Sequence, residues 1–326
     1  MKAMVYNKYG TTNVLNLNEL EIPTLKQNEV LVKIHAASVN SWDWDLLRGK
    51  PFMNRLGGLL KPKYKILGAD IAGRVEAVGR EVNHISVGDE VFGDISWCGW
   101  GGFAEYVSVN AEALTMKPAS MTFEEAAAIP QAGVLALQGL RDIGQIQEAK
   151  KVLINGAGGG VGTFALQIAK FYGAEVTCVD SKKKLDTLKS IGADHVIDYI
   201  EEDFAQKGQF YDLILDVVGT RSIFDYKRVL NTKGRYVMIG GSTSRILQLL
   251  ILGPIIYKTE SKKMALLIHK PNKNDQNFLK ELFVAGKLVP IIDRRYSLHQ
   301  VEEAIHHLGE GNVKGKVVVC MANNQT

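Results

Sequence analysis

The sequence predicts an α/β protein in which a doubly wound parallel sheet is inserted into a β-rich domain. A glycine-rich loop at residues 155–162 joins a short apolar run to a helical pattern, and further apolar runs alternate with helices after it. Residues before 122 instead alternate short apolar runs with glycine-containing turns and have no long helical period. The last segments, within residues 271–326, are predicted to be helices and strands that belong to the first domain.

The glycine-rich loop predicts a dinucleotide site. A strand, a tight glycine turn and a helix let backbone approach a pyrophosphate, whose charge the first N–H groups of the helix stabilise. Ala157 occupies the first glycine position of the G-x-G-x-x-G pattern, so a purely structural turn is the alternative. The strand and helix alternation that follows favours the cofactor site. The residues assigned to the pyrophosphate are Gly158, Gly159, Gly160, Val161 and Gly162.

Further buried strands are predicted where apolar runs end in small or polar residues. They cover residues 174–180, 195–199, 213–219 and 235–241. Backbone groups at the ends of such strands meet the nicotinamide in dinucleotide-binding sheets. We therefore assign to the cofactor the strand-end residues Val218, Gly240, Gly241 and Ser242.

Composition excludes several other classes of protein. The 326 residues are 46% hydrophobic and 23% charged, which is typical of a globular chain, and the net charge of +4 is small for this length. No basic stripe interleaved with aromatic residues is present, so we expect no nucleic-acid partner. Cys98, Cys178 and Cys320 lie far apart, which excludes a disulfide framework and a cysteine-rich zinc lobe and favours a reducing, cytoplasmic location. The N-terminal residues lack the apolar core of a signal peptide.

The most apolar stretch spans residues 245–257 and is interrupted by Gly253-Pro254. It is too short to cross a bilayer, so we expect no membrane partner. A buried helix, or a helix packed at a subunit or domain interface, is the first interpretation. The alternatives are contact with a membrane surface and a wall of an apolar substrate pocket.

Domain boundaries follow from a change of pattern at Thr122. Thr122-Phe-Glu-Glu125 has the spacing of a capping box and precedes an alanine-rich helix that continues to Leu140. The predicted domains are residues 1–122, residues 123–270 for the cofactor domain, and residues 271–326, which complete the first domain.

These motifs resemble the medium-chain dehydrogenase/reductase superfamily over essentially the whole chain, and most closely its zinc-independent quinone and enone oxidoreductase branch. The resemblance implies a catalytic domain related to a GroES-like barrel, split around an inserted Rossmann domain, with the active site in the cleft between them. Members are often dimers, so a homodimer is expected. The matching stretches are Ala36-Ala-Ser-Val-Asn40 with Asp43, Leu67-Gly-Ala-Asp-Ile-Ala-Gly-Arg-Val75, Val87-Gly-Asp-Glu-Val-Phe92, Gly101-Gly-Phe-Ala-Glu-Tyr-Val107, Asn155 to Gly162, Ile191-Gly-Ala-Asp194 and Gly315-Lys-Val-Val318.

The resemblance also predicts that the chain holds no metal. Zinc-bearing members of the superfamily use a cysteine, a Gly-His-Glu segment and a third ligand near the helix before the cofactor domain. Here those places read Asn40-Ser41, Gly68-Ala69-Asp70 and Pro130-Gln131. Sulfur and imidazole ligands are missing from all of them, so tetrahedral zinc has no ligand set. Asp70 is expected to be a structural hydrogen-bond acceptor, and ligation of a hard cation by this lone carboxylate is the alternative.

Asn40 matches the family position beside nicotinamide and substrate and is the candidate catalytic residue, acting as an orienting hydrogen-bond donor. The alternative is a turn asparagine at the end of a strand. Asp45 replaces a tyrosine found in some quinone reductases, which brings the segment closer to the enone and alkenal-reducing relatives. Lys316, in the last strand motif, is expected to approach the cofactor. Three aromatic residues are candidates for an apolar substrate wall or for packing, namely Trp97, Trp100 and Phe103.

Cofactor preference depends on the residues after the second strand of the cofactor domain. Asp180 alone favours NAD, because an acidic residue there binds the ribose 2′-OH and repels a 2′-phosphate. Against it, a hydroxyl, ammonium groups and a tyrosine match the NADP(H) pattern of quinone reductases, so NADP(H) is preferred and NAD(H) stays open. These residues are Ser181, the lysines Lys182, Lys183 and Lys184, and Tyr199.

The leading functional hypothesis is a zinc-independent, NADPH-dependent reductase of quinones or α,β-unsaturated carbonyls. Such acceptors are already electrophilic, so orientation against nicotinamide and a few hydrogen bonds to the developing oxyanion suffice. Two alternatives stay open. One is an NAD-dependent alcohol dehydrogenase-like enzyme with a non-metal base, and the other is a non-catalytic NADP(H)-binding sensor protein.

Overall fold

The computed structural model describes residues 1–56 and 58–321, and the chain divides into two compact units. The first unit comprises Met1–Gln131, Pro271–Val284 and the chain from Ile292 onward. The second unit comprises Ala132–Lys270 and Ala285–Ile291.

The second unit is built around a parallel sheet. Most of its strands contain buried Val, Ile and Leu side chains, as is typical of a parallel sheet in an α/β domain. The strands are β8 Lys151–Asn155, β9 Glu175–Asp180, β10 His195–Asp198, β11 Tyr211–Asp216, β12 Leu230–Met238 and β13 Lys263–Leu266. The helices are α3 Pro130–Gln138, α4 Gly160–Phe171, α5 Lys182–Ser190, α6 Ile223–Val229 and α7 Thr243–Glu260.

The strand order of this sheet is β10-β9-β8-β11-β12-β13, and each neighbouring pair is parallel. The order reverses between β8 and β11. In doubly wound sheets a ligand binds at the carboxyl ends of the strands beside such a switch point. The glycine-rich loop follows β8, so it lies at that point.

The first unit contains a mostly antiparallel sheet of order β14-β15-β3-β4-β5-β7, with β6 also paired to β3. Its core packs Val and Ile side chains of β3 and β4 against buried aromatic rings. The strands are β1 Lys2–Val5, β2 Asn16–Glu19, β3 Glu29–Val39, β4 Asp70–Val78, β5 Glu90–Asp94, β6 Tyr106–Asn110, β7 Thr115–Met116, β14 Ile292–Ser297 and β15 Lys316–Cys320. The helices are α1 Ser41–Arg48, α2 Phe123–Ala128, α8 Lys273–Val284 and α9 Val301–Gly309.

The predicted fold class, a β-rich GroES-like domain with an inserted doubly wound Rossmann sheet, is confirmed. Local details differ. Helix α1 was not predicted, because two turns are too short to display a helical period. The helix predicted from Ala126 to Leu140 is divided at Ile129, because Pro130 lacks an N–H group and restricts the residue before it.

The apolar 245–257 stretch lies within α7. Leu249, Gly253 and Ile256 are buried, whereas the opposite face exposes Leu247 and Ile251 by more than half of their surface. The expected buried helix is therefore buried on one face only.

In the part of the chain that the structure describes, no helix has the length and apolar character needed to cross a bilayer. The cytoplasmic location and the homodimer stay predictions.

Candidate active site

Three glycines of the glycine-rich loop have different structural roles. Gly156 adopts φ +82°, the left-handed conformation that turns the chain sharply after β8. A Cβ on Gly162 would lie 2.4 Å from the carbonyl oxygen of Gly156 and 2.5 Å from the Cα of Ala157, so this glycine lets α4 pack on the loop. A Cβ on Gly159 would meet only one atom, at 3.8 Å, so the loop is open there. Gly156 thus supplies the turn that Ala157 cannot.

This loop fits a bound pyrophosphate. Helix α4 begins at Gly160, and the first N–H groups of a helix have no partner within it. Gly160 and Val161 are partly exposed beside the open space at Gly159. Unpaired donors, the positive end of the helix dipole and room for close approach are the features that an anionic diphosphate needs.

Asp180 holds the loop rather than presenting a free carboxylate. Its Oδ2 accepts a hydrogen bond from the backbone N–H of Gly158 at 2.7 Å, and its Oδ1 accepts one from the backbone N–H of Ser181 at 2.8 Å. The Lys184 ammonium lies 3.4 Å from Oδ1, and both side chains are about nine-tenths buried. The negative charge of Asp180 is therefore compensated inside the protein.

The other residues predicted to meet the cofactor's adenosine end lie around this ion pair. Lys183 is exposed, and Ser181 is partly exposed at the start of α5. Tyr199 is half-exposed, and its backbone N–H donates to the carbonyl oxygen of Asp180 at 3.3 Å. The structure thus brings all of these residues to the carboxyl end of β9.

Asp216 is a loop-shaping residue that sequence reasoning missed. It is fully buried at the end of β11 and accepts hydrogen bonds from Asn155 Nδ2 at 2.9 Å, Tyr236 OH at 2.8 Å and the backbone N–H of Gly219 at 3.0 Å. Burial and the charge of Asp216 raise the pKa of Tyr236. The only sequence signal is a carboxylate that directly follows the apolar run 213–215.

The turn that Asp216 holds lies against the predicted nicotinamide residues. A Cβ on Gly219 would lie 2.1 Å from the carbonyl oxygen of Gly240 and 2.5 Å from the Cα of Gly241. Val218 is nearly half exposed on this turn. Ser242 ends the segment as the N-cap of α7, where its Oγ accepts from the backbone N–H of Arg245 at 3.4 Å.

Asn40 lies in a buried polar cluster of the first unit. The Lys316 ammonium donates to Asn40 Oδ1 at 2.5 Å, and Asn40 Nδ2 donates to Asp70 Oδ2 at 2.9 Å. Asn40 directly follows β3, while Asp70 and Lys316 begin β4 and β15, the two strands that flank β3. The structure therefore places Lys316 beside Asn40, a contact between residues 276 positions apart in the chain.

Buried carboxylates surround Asn40. Asp43 accepts from the backbone N–H groups of Asn40 and Gly68, both at 2.8 Å, and burial raises the pKa of Asp43 to about 7. Burial also raises the pKa of Asp70 to about 6, while the charge of Lys316 opposes that rise. Burial lowers the pKa of Lys316, against the opposing effect of Asp70. The cluster holds its charges through mutual contacts away from water.

The metal-ligand positions of zinc-bearing relatives hold this cluster instead. Among residues 1–56 and 58–321, no three His, Cys, Asp or Glu side chains are grouped in a way that could hold a metal ion. A buried ammonium beside Asn40 repels a cation. The three aromatic candidates differ in burial. Trp100 and Phe103 are buried in the core of the first unit, whereas Trp97 is exposed.

Comparisons with known proteins agree with this architecture. Residues 26–119 match the family described as Alcohol dehydrogenase GroES-like domain, and residues 191–319 match the family described as Zinc-binding dehydrogenase. A 2-methylene-furan-3-one reductase of Solanum lycopersicum is 32% identical over 98% of this chain and 79% of its own length. An NADPH-dependent alkenal/one oxidoreductase of Arabidopsis thaliana is 30% identical over the same shares of the two chains.

The solved structure of a quinone oxidoreductase from Coxiella burnetii superimposes with a TM-score of 0.88 at 30% identity, over 99% of each chain. The likeness spans both units and the strands that carry the glycine loop and the polar cluster. The chain therefore belongs to the medium-chain dehydrogenase/reductase superfamily of NAD(P)H-dependent oxidoreductases, in its quinone and enone oxidoreductase branch.

Proposed function

We propose that the protein is a zinc-independent, NADPH-dependent reductase that transfers a hydride to quinones or α,β-unsaturated carbonyls. The observation that carries the proposal is the buried contact of Lys316 and Asp70 with the two ends of the Asn40 amide. This contact orients a hydrogen-bond donor at the position that matches a metal ligand of zinc-bearing relatives, which supports a reaction without zinc.

Each unit has a part in this proposal. The second unit binds the cofactor through the open glycine loop and the donors at the start of α4. When bound, the nicotinamide supplies the hydride. Asn40 Nδ2 donates to the carbonyl oxygen of the acceptor, which orients the acceptor and stabilises the negative charge that develops on that oxygen. Because the conjugated acceptor is already electrophilic, no Lewis acid is required.

The names of the relatives support this acceptor class. A methylene-furanone, alkenals and alkenones, and quinones all contain a carbon–carbon double bond conjugated with a carbonyl group. One donor at the carbonyl oxygen serves all of them. A saturated aldehyde lacks the conjugated carbon, so we expect it to react poorly.

Steady-state oxidation of NADPH and NADH, with a simple quinone, a conjugated enone and a saturated aldehyde, tests the proposal. We expect turnover with the first two acceptors, unchanged by a chelator and faster with NADPH at limiting concentration. Oxidation of alcohols that a chelator abolishes would contradict the zinc-independent reductase. Oxidation of alcohols by NAD⁺ that persists in the chelator would favour the alcohol dehydrogenase-like alternative with its non-metal base. Binding of cofactor without turnover would favour the sensor alternative.

The preference for NADPH rests on the ion pair between Asp180 and Lys184. A free carboxylate at this position would repel a 2′-phosphate, but Lys184 compensates this one and two backbone N–H groups occupy its oxygens. The Asp180 carboxylate therefore does not compete with a 2′-phosphate for the exposed ammonium of Lys183 or for the Ser181 hydroxyl. This arrangement favours a phosphate over a bare ribose hydroxyl.

Replacing Lys183 with alanine is expected to weaken NADPH binding by about tenfold and to change NADH binding by less than about twofold, because a hydrogen bond between an ammonium and a phosphate contributes about 1.5 kcal/mol. Fluorescence titration with each cofactor measures both constants. Lys189→Ala, an exposed lysine at the other end of α5, is the matched control and should change neither constant. An equal loss for both cofactors in Lys183→Ala would contradict the assignment.

A further inference from the structure

We propose that Lys316 and Asp70 are positioning residues that hold the carboxamide of Asn40 in one orientation. The proposal rests on the donor role given to Asn40 in the proposed function. It assigns these two residues an effect on turnover that acts through Asn40.

The contacts determine which end of the amide faces which neighbour. Lys316 Nζ lies 2.5 Å from Asn40 Oδ1, and Asn40 Nδ2 lies 2.9 Å from Asp70 Oδ2. An ammonium only donates hydrogen bonds and a carboxylate only accepts them. A rotation of the amide by half a turn would set its NH₂ group against the ammonium and its oxygen against the carboxylate. That arrangement is repulsive at both ends.

Asp70 is itself held in place, so it can serve as a reference point. Its Oδ2 accepts from Ser38 Oγ at 3.1 Å, and its Oδ1 accepts from the backbone N–H of Gln131 at 3.0 Å. Asp70 is 0% exposed and Lys316 is 3% exposed. With an Nζ to Oδ2 distance of 3.7 Å, the two charges compensate each other without replacing the contacts to Asn40.

One hydrogen of Asn40 Nδ2 remains for the acceptor. Nδ2 carries two hydrogens, and the contact with Asp70 uses one of them. Asn40 is 6% exposed, which leaves only a small opening to its amide. A fixed amide therefore presents an N–H group, and never its oxygen, to the carbonyl oxygen of an acceptor.

A double-mutant cycle tests whether Asp70 acts through Asn40. We expect Asn40→Ala to lower kcat by about 100-fold and Asp70→Asn to lower it by about 30-fold, because a misplaced catalytic group costs up to about 100-fold. In the Asn40→Ala background, Asp70→Asn should change kcat by less than about twofold. Cofactor affinity should stay constant throughout. An equal loss of kcat in both backgrounds would overturn the proposal.

Lys316→Met tests the contact with Asn40 Oδ1. The matched control is Lys33→Met, since Lys33 is an exposed lysine on β3, and we expect this control to leave kcat unchanged. The single change leaves the charge of Asp70 uncompensated and endangers folding. The double variant Lys316→Met/Asp70→Asn removes both charges together. We expect this variant to fold and to lose kcat by about 30-fold or more, whereas retention of wild-type kcat would overturn the proposal.

A second readout does not depend on activity. In protein labelled with ¹⁵N-asparagine, the spectrum of Asn40→Ala identifies the side-chain NH₂ signals of Asn40. We expect these hydrogens to exchange with solvent at least about tenfold faster in Asp70→Asn than in the wild-type protein. Unchanged signals and exchange would overturn the positioning role. Absence of turnover in the wild-type protein would instead contradict the proposed function, and the exchange measurement would still decide the positioning role.

Discussion

Gly162→Ala is expected to weaken NADPH binding by at least about 100-fold and to lower the free energy of unfolding by about 3 kcal/mol. The new Cβ would lie 2.4 Å from the carbonyl oxygen of Gly156 and 2.5 Å from the Cα of Ala157, and these backbone atoms cannot rotate away as a side chain can. Helix α4 must then shift off the loop, which moves the donors meant for the pyrophosphate. Fluorescence titration and urea denaturation measure the two effects.

Gly159→Ala separates cofactor binding from folding. Its Cβ would meet only the carbonyl oxygen of Gly156, at 3.8 Å, and its φ of −87° suits alanine. We expect unchanged stability but about tenfold weaker NADPH binding, since the methyl group occupies the space of close backbone approach. A Gly162→Ala variant as stable as the wild-type protein, with equal NADPH affinity, would contradict the role given to Gly162. Unchanged NADPH affinity in Gly159→Ala would contradict the role given to Gly159.

Asp216→Ala is expected to lower the free energy of unfolding by about 3–5 kcal/mol. The change removes the acceptor for Asn155 Nδ2, Tyr236 OH and the backbone N–H of Gly219, all within 3.0 Å of the carboxylate. Buried donors without partners cost more than the hydrogen bonds contributed. Urea denaturation followed by circular dichroism measures the loss.

Asp186→Ala is the control for this change, because Asp186 is an exposed carboxylate on α5 of the same unit. We expect its effect to stay within about 0.5 kcal/mol. An Asp216→Ala variant as stable as this control would show that the turn at Gly219 holds its shape without the carboxylate.

Local patterns in the sequence were sufficient for five of the six strands of the parallel sheet in the second unit, and the edge strand β13 was not predicted. The run before the loop is confirmed as β8, and the residues after it as α4, because strand, glycine turn and helix are all encoded within a few neighbouring residues. The Thr122 capping box is present as predicted and begins α2. The edge strand β14 shows no clear alternation in the sequence, because Asp293, Arg294 and Arg295 place three charges in succession.

The candidate site was only partly visible in the sequence. Asn40 could be selected by resemblance, and Asp180 by its place after the second strand. Their partners could not be identified. Lys184, in the first turn of α5, compensates the charge of Asp180 at the end of β9, and Asp216 is held by tyrosine and asparagine side chains from other elements. No spacing rule connects such residues, because a hydrogen bond depends on distance in space rather than on separation along the chain.

The sequence by itself therefore determined the superfamily, the doubly wound sheet and the place of the glycine loop, since all three depend on residues close together in the chain. Only the tertiary structure decided that Lys316 meets Asn40 and that the charge of Asp180 is compensated. The pairing of β15 with β3 brings together residues 276 positions apart. That pairing is stabilised by the apolar side chains of the whole sheet, not by the polar residues that it places side by side.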